Sequence, residues 1–468
     1  MLLSGQVGGS VNLNASCLVE DMGSASAAAR GAPEETEAGA RPEALKSDAT
    51  QGAWPRARRR TAATLVLFAA LVLALLAVGL GIGLSLAPRA GGADAPQAEA
   101  GAPALQSRAP PRRGFVRLHR LPAEPLVTCN DGTSPAIWYS PGSEAGFVVM
   151  LEGGGQCSSL ACLRRRDARL RSTAADVDGA TARAPGGVLS RLQHATPVAN
   201  WSLVTVRYCS SDGWHGDLSG AFSAAEMAAA GVRPKERFQF MHFRGARIVD
   251  AVFRLLTAPA REAERRALGL PRLASDTPVL FGGFSAGARG AMVNGDGVRA
   301  RFNLSRMALW LDSGYYVDMG AGSSLHDQTL EIFARYVNGS AAARWNDVAR
   351  WQDLFGVYRM PSLATRFVAV SSQNDSFQSW AQYDGVTDSA VMRARVAAAI
   401  KRGLAALLPL PACATIVSDL DATHAVTADD GAFAAIGAPQ LSLARELARV
   451  LDPACRSLTR FIREAGAA

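Results

Sequence analysis

The chain has 468 residues, of which 49% are hydrophobic and 19% are charged, and its formal net charge is +8. This composition excludes a chain that is disordered throughout, because it supplies enough apolar side chains for a large core. The positive charge comes from scattered arginines without a basic stripe of interleaved aromatic residues, so nucleic-acid binding is not expected.

The first 113 residues are predicted to precede the globular domain. Residues 1–60 are rich in Ala, Gly, Ser and Glu and predict a disordered tail. Residues 61–87 contain no charged side chain, and about 20 apolar residues suffice for a helix to cross a bilayer. Residues 88–113 are rich in Ala, Pro and Gly and predict an extended stalk. We therefore expect one transmembrane helix at 61–87 and one domain at 114–468.

The charges beside the apolar segment predict its orientation. Arg56, Arg58, Arg59 and Arg60 precede it, whereas only Arg89 follows it closely. The positive-inside rule then places the N-terminus in the cytosol. We expect a single-pass membrane protein of the secretory pathway whose large domain is lumenal or extracellular.

The cysteines and sequons agree with an oxidising compartment. Cys17 lies in the tail, and the even number of cysteines that remains suggests disulfides, with the pairing left open. These cysteines are Cys129, Cys157, Cys162, Cys209, Cys413 and Cys455. They lack zinc-finger spacing, so we expect no structural metal. N-x-S sequons predict glycosylation at Asn200, Asn303 and Asn338.

Within the domain, strand-like apolar runs alternate with stretches of helical spacing. The predicted strands are Phe147–Leu151, Leu203–Tyr208, Pro278–Phe281, Met307–Leu311, Phe367–Val370 and Thr415–Val417. The predicted helices are Phe243–Leu256, a helix from Ala286, Ser389–Leu408 and Leu441–Leu451. This alternation predicts an α/β-hydrolase-like fold with a doubly wound, mostly parallel sheet.

A G-x-S-x-G motif spans residues 283–287, between a predicted strand and a predicted helix. Its glycines let the strand and the helix approach each other around a sharp turn, which makes Ser285 the expected nucleophile. The N–H of Ala286, at the start of the helix, is a candidate oxyanion donor. Three glycines follow an early strand, and we expect the N–H groups of Gly154 and Gly155 to complete the oxyanion hole.

The acid and the base follow from chain order, which in this fold is Ser, then Asp or Glu, then His. His424 is the only histidine that follows Asp375. Asp375 follows a predicted strand and is the expected acid, with Asp419 and Asp421 as alternatives. In this scheme His424 takes the proton of Ser285, an acyl-enzyme forms, and water releases it without a metal or cofactor.

Several short motifs follow one another along the chain between Cys129 and Cys413. They are Cys-Asn-Asp-Gly at 129–132, Leu-Glu-Gly-Gly-Gly-Gln-Cys at 151–157, Tyr-Cys-Ser-Ser-Asp at 208–212, His-Phe-Arg-Gly at 242–245, Phe-Ser-Ala-Gly at 284–287, Asp-Ser-Gly at 312–314 and Asp-Ser-Phe-Gln at 375–378. Together they resemble the pectin acetylesterase family, which also contains the Notum carboxylesterases. The resemblance implies a triad of Ser285, Asp375 and His424.

The resemblance also implies a disulfide pattern. The implied pairs are Cys129–Cys209, Cys157–Cys162 and, by remainder, Cys413–Cys455. The sequence departs from the family at two places: Gly155 and Gln156 stand where a tryptophan is usual, and His424 lies farther from Cys413. The domain has a fourth sequon, at Asn374, which adjoins Asp375, and we expect it to be unused because a glycan there would obstruct the site.

Three functions are compatible with these residues. The leading hypothesis is an esterase that removes acetyl groups from an O-acetylated polysaccharide such as pectin. A Notum-like deacylase of a lipidated protein is the alternative, and it needs a long apolar tunnel where acetyl release needs a shallow pocket. A catalytically dead carbohydrate-binding or adhesion module is the alternative of another class, favoured by the divergent His424 loop and opposed by the intact Ser285.

Overall fold

The computed structural model describes residues 115–191, 196–240, 242–337, 348–383, 390–407, 413–420, 424–437 and 440–463. The predicted tail, transmembrane segment and stalk, and the sequon at Asn338, lie outside these residues. Within the described ranges, no helix is both long and apolar enough to cross a membrane.

A ten-stranded sheet forms the centre of the described domain. Its strands are β1 Phe115–Arg120, β2 Ala136–Ser140, β3 Phe147–Leu151, β4 Thr181–Arg183, β5 Ser202–Val206, β8 Val279–Phe284, β9 Met307–Asp312, β10 Phe367–Val370, β11 Ala414–Ser418 and β12 Leu458–Ile462. A separate two-stranded sheet pairs β6 Leu218–Ser219 with β7 His242–Phe243.

The order across the large sheet is β12-β11-β10-β9-β8-β3-β5-β2-β1-β4. The strands from β12 to β5 run parallel to one another, and β2, β1 and β4 continue the sheet as an antiparallel extension. The observed sheet is therefore mostly parallel and α/β-hydrolase-like, as the sequence predicts.

Helices fill the connections between the parallel strands. They are α1 Leu160–Arg165, α2 Ala224–Ala229, α3 Gly245–Thr257, α4 Glu262–Leu268, α5 Ala286–Arg301, α6 Ser324–Ile332, α7 Gly356–Arg359, α8 Ser376–Gln382, α9 Ala390–Ala405, α10 Asp430–Ala435 and α11 Leu443–Leu451. All the helices predicted from the sequence are among them, with ends shifted by a few residues.

Both faces of the central strands are buried. Along β3, Val149 and Leu151 pack in one hydrophobic cluster, whereas Val148 and Met150 pack in the cluster on the opposite face. Successive side chains of a strand point to opposite faces, so a strand covered on both sides needs a continuous apolar run. This explains why the parallel strands are visible in the sequence as unbroken hydrophobic segments.

The three disulfides join the pairs that the family resemblance implies. Cys129 is bonded to Cys209 and Cys157 to Cys162. Cys413, ahead of β11, is bonded to Cys455, which precedes β12. The last disulfide therefore ties together the N-terminal ends of two neighbouring parallel strands.

Candidate active site

Ser285 sits in a sharp turn between β8 and α5. Its backbone has φ 55° and ψ −123°, a conformation that side-chain-bearing residues rarely adopt. A Cβ atom added to Gly283 would lie 2.3 Å from the Leu151 carbonyl oxygen, and one added to Gly287 would lie 2.0 Å from it. The two glycines of the motif therefore let β8 and α5 pack directly against the end of β3, and Ser285 is held at that junction.

The structure brings Asp375 and His424 together. Asp375 caps the N-terminus of α8, where its Oδ1 accepts a hydrogen bond of 2.9 Å from the Gln378 N–H. Its other carboxylate oxygen, Oδ2, lies 2.8 Å from Nδ1 of His424. Of the two alternative acids, Asp419 pairs with Arg463 at 3.0 Å, and Asp421 lies outside the described residues.

The loop that carries His424 is fastened to the end of β9. Asp312 Oδ2 accepts hydrogen bonds from the backbone N–H of Thr427 at 2.7 Å and from its hydroxyl at 2.6 Å. The Ala425 N–H donates to Ser313 Oγ at 2.9 Å. These contacts hold the His424 loop against the end of β9. The position of His424 therefore does not depend on the number of residues between it and Cys413.

The surroundings of His424 raise its pKa. Burial by itself would lower the pKa of the imidazole, but the negative charge of Asp375, the hydrogen bond to it and the charge of Asp312 together outweigh burial. The ring of Phe377 lies against the imidazole, with the ring centroids 4.6 Å apart. His424 Nε2 is buried and has no hydrogen-bond partner among the described residues.

Two side chains next to Ser285 were not predicted from the sequence. The hydroxyl of Tyr316 lies 3.3 Å from Ser285 Oγ. Arg289 follows Ser285 by one turn of α5, and its guanidinium lies over the Tyr316 ring at 4.7 Å from the centroid. Burial raises the pKa of Tyr316 to about 12, so its phenol keeps the proton near neutral pH. Two polar side chains therefore lie next to Ser285.

The glycine loop after β3 has the backbone freedom that an oxyanion site requires. Gly154 and Gly155 have φ values of 143° and 64°, and a Cβ added to Gly154 would lie 2.9 Å from the Tyr208 ring. Arg166 donates to the carbonyl oxygens of both glycines, and the Tyr208 hydroxyl donates to that of Gly155 at 2.9 Å. The C=O and N–H of a trans peptide point in opposite directions, so these contacts turn the N–H groups of Gly155 and Gln156 away from Arg166.

Of the predicted glycosylation sites, Asn200 and Asn303 lie among the described residues, as does the sequon at Asn374, which directly precedes Asp375. The side-chain amide of Asn200 donates to Glu144 at 2.8 Å, and Asn303 has a left-handed backbone with φ 51°. The amide nitrogen of Asn374 donates to the Leu420 carbonyl at 2.6 Å. No group of three or more His, Cys, Asp or Glu residues in the described part of the chain is arranged to hold a metal ion.

A cavity of about 400 Å³ lies elsewhere in the domain. Its lining residues are Thr196, Pro197, Ala199, Asn200, Ala444 and Arg445. None of the buried polar groups around Ser285 contributes to this cavity, so it is separate from the candidate active site.

Comparison with known proteins identifies the family. The family model for pectinacetylesterase matches residues 114–390, which include Ser285 and Asp375. The chain belongs to the pectinacetylesterase family. The relatives in this group are named as ester hydrolases, a pectin acetylesterase and a carboxylesterase.

The relatives include both branches of the family. Pectin acetylesterase 11 of Arabidopsis thaliana is 24% identical over 262 residues, which cover 54% of this chain and 60% of that protein. The palmitoleoyl-protein carboxylesterase NOTUM of Homo sapiens is 31% identical over 270 residues, which cover 53% of this chain and 48% of that protein. The chain therefore spans about half the length of these relatives.

The fold is shared with a solved structure of the Wnt deacylase Notum from Drosophila. The two have a TM-score of 0.54 and 21% sequence identity, and the match covers 72% of this chain and 92% of that chain. At this identity the similarity establishes the fold alone.

Proposed function

We propose that the chain removes acetyl groups from an O-acetylated polysaccharide through a serine acyl-enzyme. The observation that carries the proposal is the 2.8 Å contact between His424 Nδ1 and Asp375 Oδ2, in a chain whose candidate nucleophile, Ser285, is held in a strained strand-to-helix turn. A carboxylate at Nδ1 favours the tautomer whose Nε2 can accept a proton, which is what a general base requires.

The reaction follows from these groups in two stages. His424 Nε2 takes the Ser285 proton as Oγ attacks the acetyl carbonyl, and the same proton then passes to the departing sugar oxygen. In the second stage His424 takes a proton from water, which attacks the acetyl-enzyme, and returns it to Ser285 as acetate leaves. Asp375 stays ionised and stabilises the imidazolium in both stages.

Stabilisation of the oxyanion is assigned to the backbone. Ala286 is the first residue of α5, so its N–H lies at the positive end of the helix dipole. The N–H groups of Gly154 and Gly155 make no hydrogen bond to any other described residue, which leaves them able to donate to the substrate. Each such donor contributes on the order of 10²–10³-fold to the rate in comparable hydrolases.

A Notum-like deacylase is the second candidate. It is favoured by the 31% identity to human NOTUM, which is named a palmitoleoyl-protein carboxylesterase. Such a substrate requires an apolar tunnel beside the nucleophile, whereas the groups that adjoin Ser285 here include the hydroxyl of Tyr316. Acetyl removal therefore remains the proposal.

We also propose that the domain works on the lumenal or extracellular side of a membrane, held by a helix at 61–87. The length of this uncharged segment supports a membrane-spanning helix, and the arginines ahead of it support the orientation. The three disulfides fit a domain that folds in an oxidising compartment.

The test of the proposed function is hydrolysis by the full-length chain of p-nitrophenyl acetate, p-nitrophenyl octanoate and acetylated pectin. We expect acetate to be released from pectin and p-nitrophenyl acetate to be the better of the small esters. Ser285→Ala should lower turnover by a factor on the order of 10⁴ or more. Ser275→Ala, an exposed serine away from the site, is the matched control. Turnover that is equal in the two variants would contradict the assignment of Ser285.

A further inference from the structure

One side of Ser285 is closed by a buried aromatic side chain. Tyr316 is 2% exposed, and it packs with Leu325 and Phe355 in a small hydrophobic cluster. Its hydroxyl is within 3.3 Å of Ser285 Oγ, so the tip of the side chain points at the reacting atom. Gly314 makes this approach possible, since a Cβ there would lie 2.6 Å from the Cβ of Ala288 on α5.

This side is the one left for the acyl group of the substrate. A carbonyl carbon under attack carries an oxyanion, a leaving oxygen and an acyl substituent. The leaving oxygen must lie near His424 Nε2 to receive its proton, and the oxyanion must face the N–H groups of Ala286 and the glycine loop. Tyr316 makes no hydrogen bond to His424 or to that loop in the part of the chain that the structure describes. It therefore borders the remaining substituent, the acyl group.

A buried cation lies behind the Tyr316 ring. Arg289 is 2% exposed, and its guanidinium lies 4.7 Å from the Tyr316 ring centroid and 5.8 Å from that of Phe355. Its Nε and Nη2 donate to the Leu354 carbonyl oxygen, and no carboxylate among the described residues pairs with it. Burial lowers the pKa of Arg289 to about 10, so the guanidinium is still charged near neutral pH.

We propose that Tyr316 and Arg289 determine the acyl specificity of the enzyme, so that the site accepts an acetyl group and rejects long alkyl chains. In this proposal the acetyl methyl group lies next to the phenol hydroxyl and leaves Tyr316 in place. A longer alkyl group would have to displace Tyr316. Its apolar carbons would then lie against the buried charge of Arg289 and would lack the apolar contacts that make burial of an alkyl group favourable. The inference rests on the proposed function, because it concerns the acyl group of the same Ser285 ester.

The experiment measures kcat/KM of the full-length chain for p-nitrophenyl acetate, butyrate and octanoate. For the wild type we expect acetate to be preferred over octanoate. Tyr316→Ala and Arg289→Met should each reduce the acetate-to-octanoate ratio by about tenfold or more, since each makes the acyl side roomier or less polar. Tyr315→Phe removes a neighbouring buried hydroxyl that has no partner among the described residues, and it should leave the ratio unchanged.

The ratio separates specificity from damage to the fold, because a variant with less folded enzyme loses activity on all three esters equally. Labelling of Ser285 by alkyl fluorophosphonates of two and eight carbons, followed by mass spectrometry, gives the same ratio for variants that turn over slowly. An unchanged ratio in both Tyr316→Ala and Arg289→Met, in an enzyme whose activity requires Ser285, would overturn the acyl assignment alone. Absence of Ser285-dependent turnover and labelling would overturn the proposed function as well.

Discussion

At the residue scale, the protonation of His424 controls when the proposed site can work. The imidazole must be neutral at Nε2 to take a proton from Ser285. Pairing with Asp375 raises the pKa of His424 above the usual value of about 6.5, despite burial. The protonated, inactive form therefore persists to a higher pH than it would for an unpaired histidine.

The first prediction concerns this pH dependence. The kcat/KM of the wild type should fall as the pH falls through the raised pKa of His424, so the acid limb should have its midpoint above about 6.5. Asp375→Asn removes the charge that raises this pKa, so the midpoint should move to lower pH. The same change should reduce kcat on the order of 10³–10⁴-fold, because the imidazole is no longer held in the required tautomer.

The measurement is a set of pH–rate profiles with p-nitrophenyl acetate. Asp419→Asn is the matched control, since Asp419 pairs with Arg463 and not with His424. If the acid limb shifts in Asp419→Asn and stays in place in Asp375→Asn, the assignment of Asp375 as the acid is wrong.

The residues of the proposed triad could be named from the sequence, but their neighbours could not. Ser285 is marked by its motif, and Asp375 and His424 follow from chain order, so few alternatives remained. Tyr316 and Arg289 carry no motif of their own. Their importance arises from contacts between the β9 loop and α5, which only the folded chain shows. Arg289 has one local indication, since a residue four positions after the nucleophile shares its face of the helix.

At the scale of elements, the His424 loop depends on β9 for its position. The hydroxyl of Thr427 donates to Asp312 Oδ2 at 2.6 Å and accepts from the Trp310 indole N–H at 3.0 Å. All three residues are buried, so each lost hydrogen bond leaves a polar atom without water. The loop is thereby coupled to the strand that follows α5.

The second prediction tests this coupling. Thr427→Val keeps the shape of the side chain and removes its hydroxyl. We expect a loss of unfolding free energy of about 1–3 kcal/mol, and a lower kcat because His424 is less well positioned. Chemical denaturation and steady-state kinetics measure the two effects. Thr181→Val, on the exposed edge strand β4, is the control, and equal behaviour of the two variants would show that the anchor has no role.

Which strands are predictable depends on how they are buried. The parallel strands from β3 to β11 carry continuous apolar runs because both their faces are covered. Four strands of the large sheet were missed: β1, β2, β4 and β12. The residues of β1, β4 and β12 are partly exposed and include arginines, whereas β2 is short and mostly buried, so exposure does not explain why it was missed. The route of the His424 loop was also unpredictable, because long-range hydrogen bonds to Asp312 and Ser313 set it.

At the scale of the whole molecule, the sequons test topology and active site together. If residues 61–87 form a transmembrane helix with the domain on the lumenal side, Asn200, Asn303 and Asn338 are exposed to the glycosylation machinery. Asn374 lies next to Asp375. Its side-chain amide nitrogen, the atom that would carry a glycan, donates a hydrogen bond of 2.6 Å to the Leu420 carbonyl oxygen. A glycan at Asn374 would replace one hydrogen of this nitrogen and place a bulky group next to Asp375, the partner of His424.

The third prediction is therefore that only three of these four sites are used. Full-length chain from a eukaryotic secretory host should shift in mobility when treated with an N-glycosidase, and a variant with Asn200, Asn303 and Asn338 all changed to Gln should not shift. Glycopeptide mass spectrometry of active enzyme should find Asn374 unmodified. A wild-type chain without any glycan would place the domain on the cytosolic side and contradict the proposed orientation. A glycan at Asn374 in active enzyme would instead contradict Asp375 as the acid, because the site could not then keep the geometry that joins Asp375 to His424.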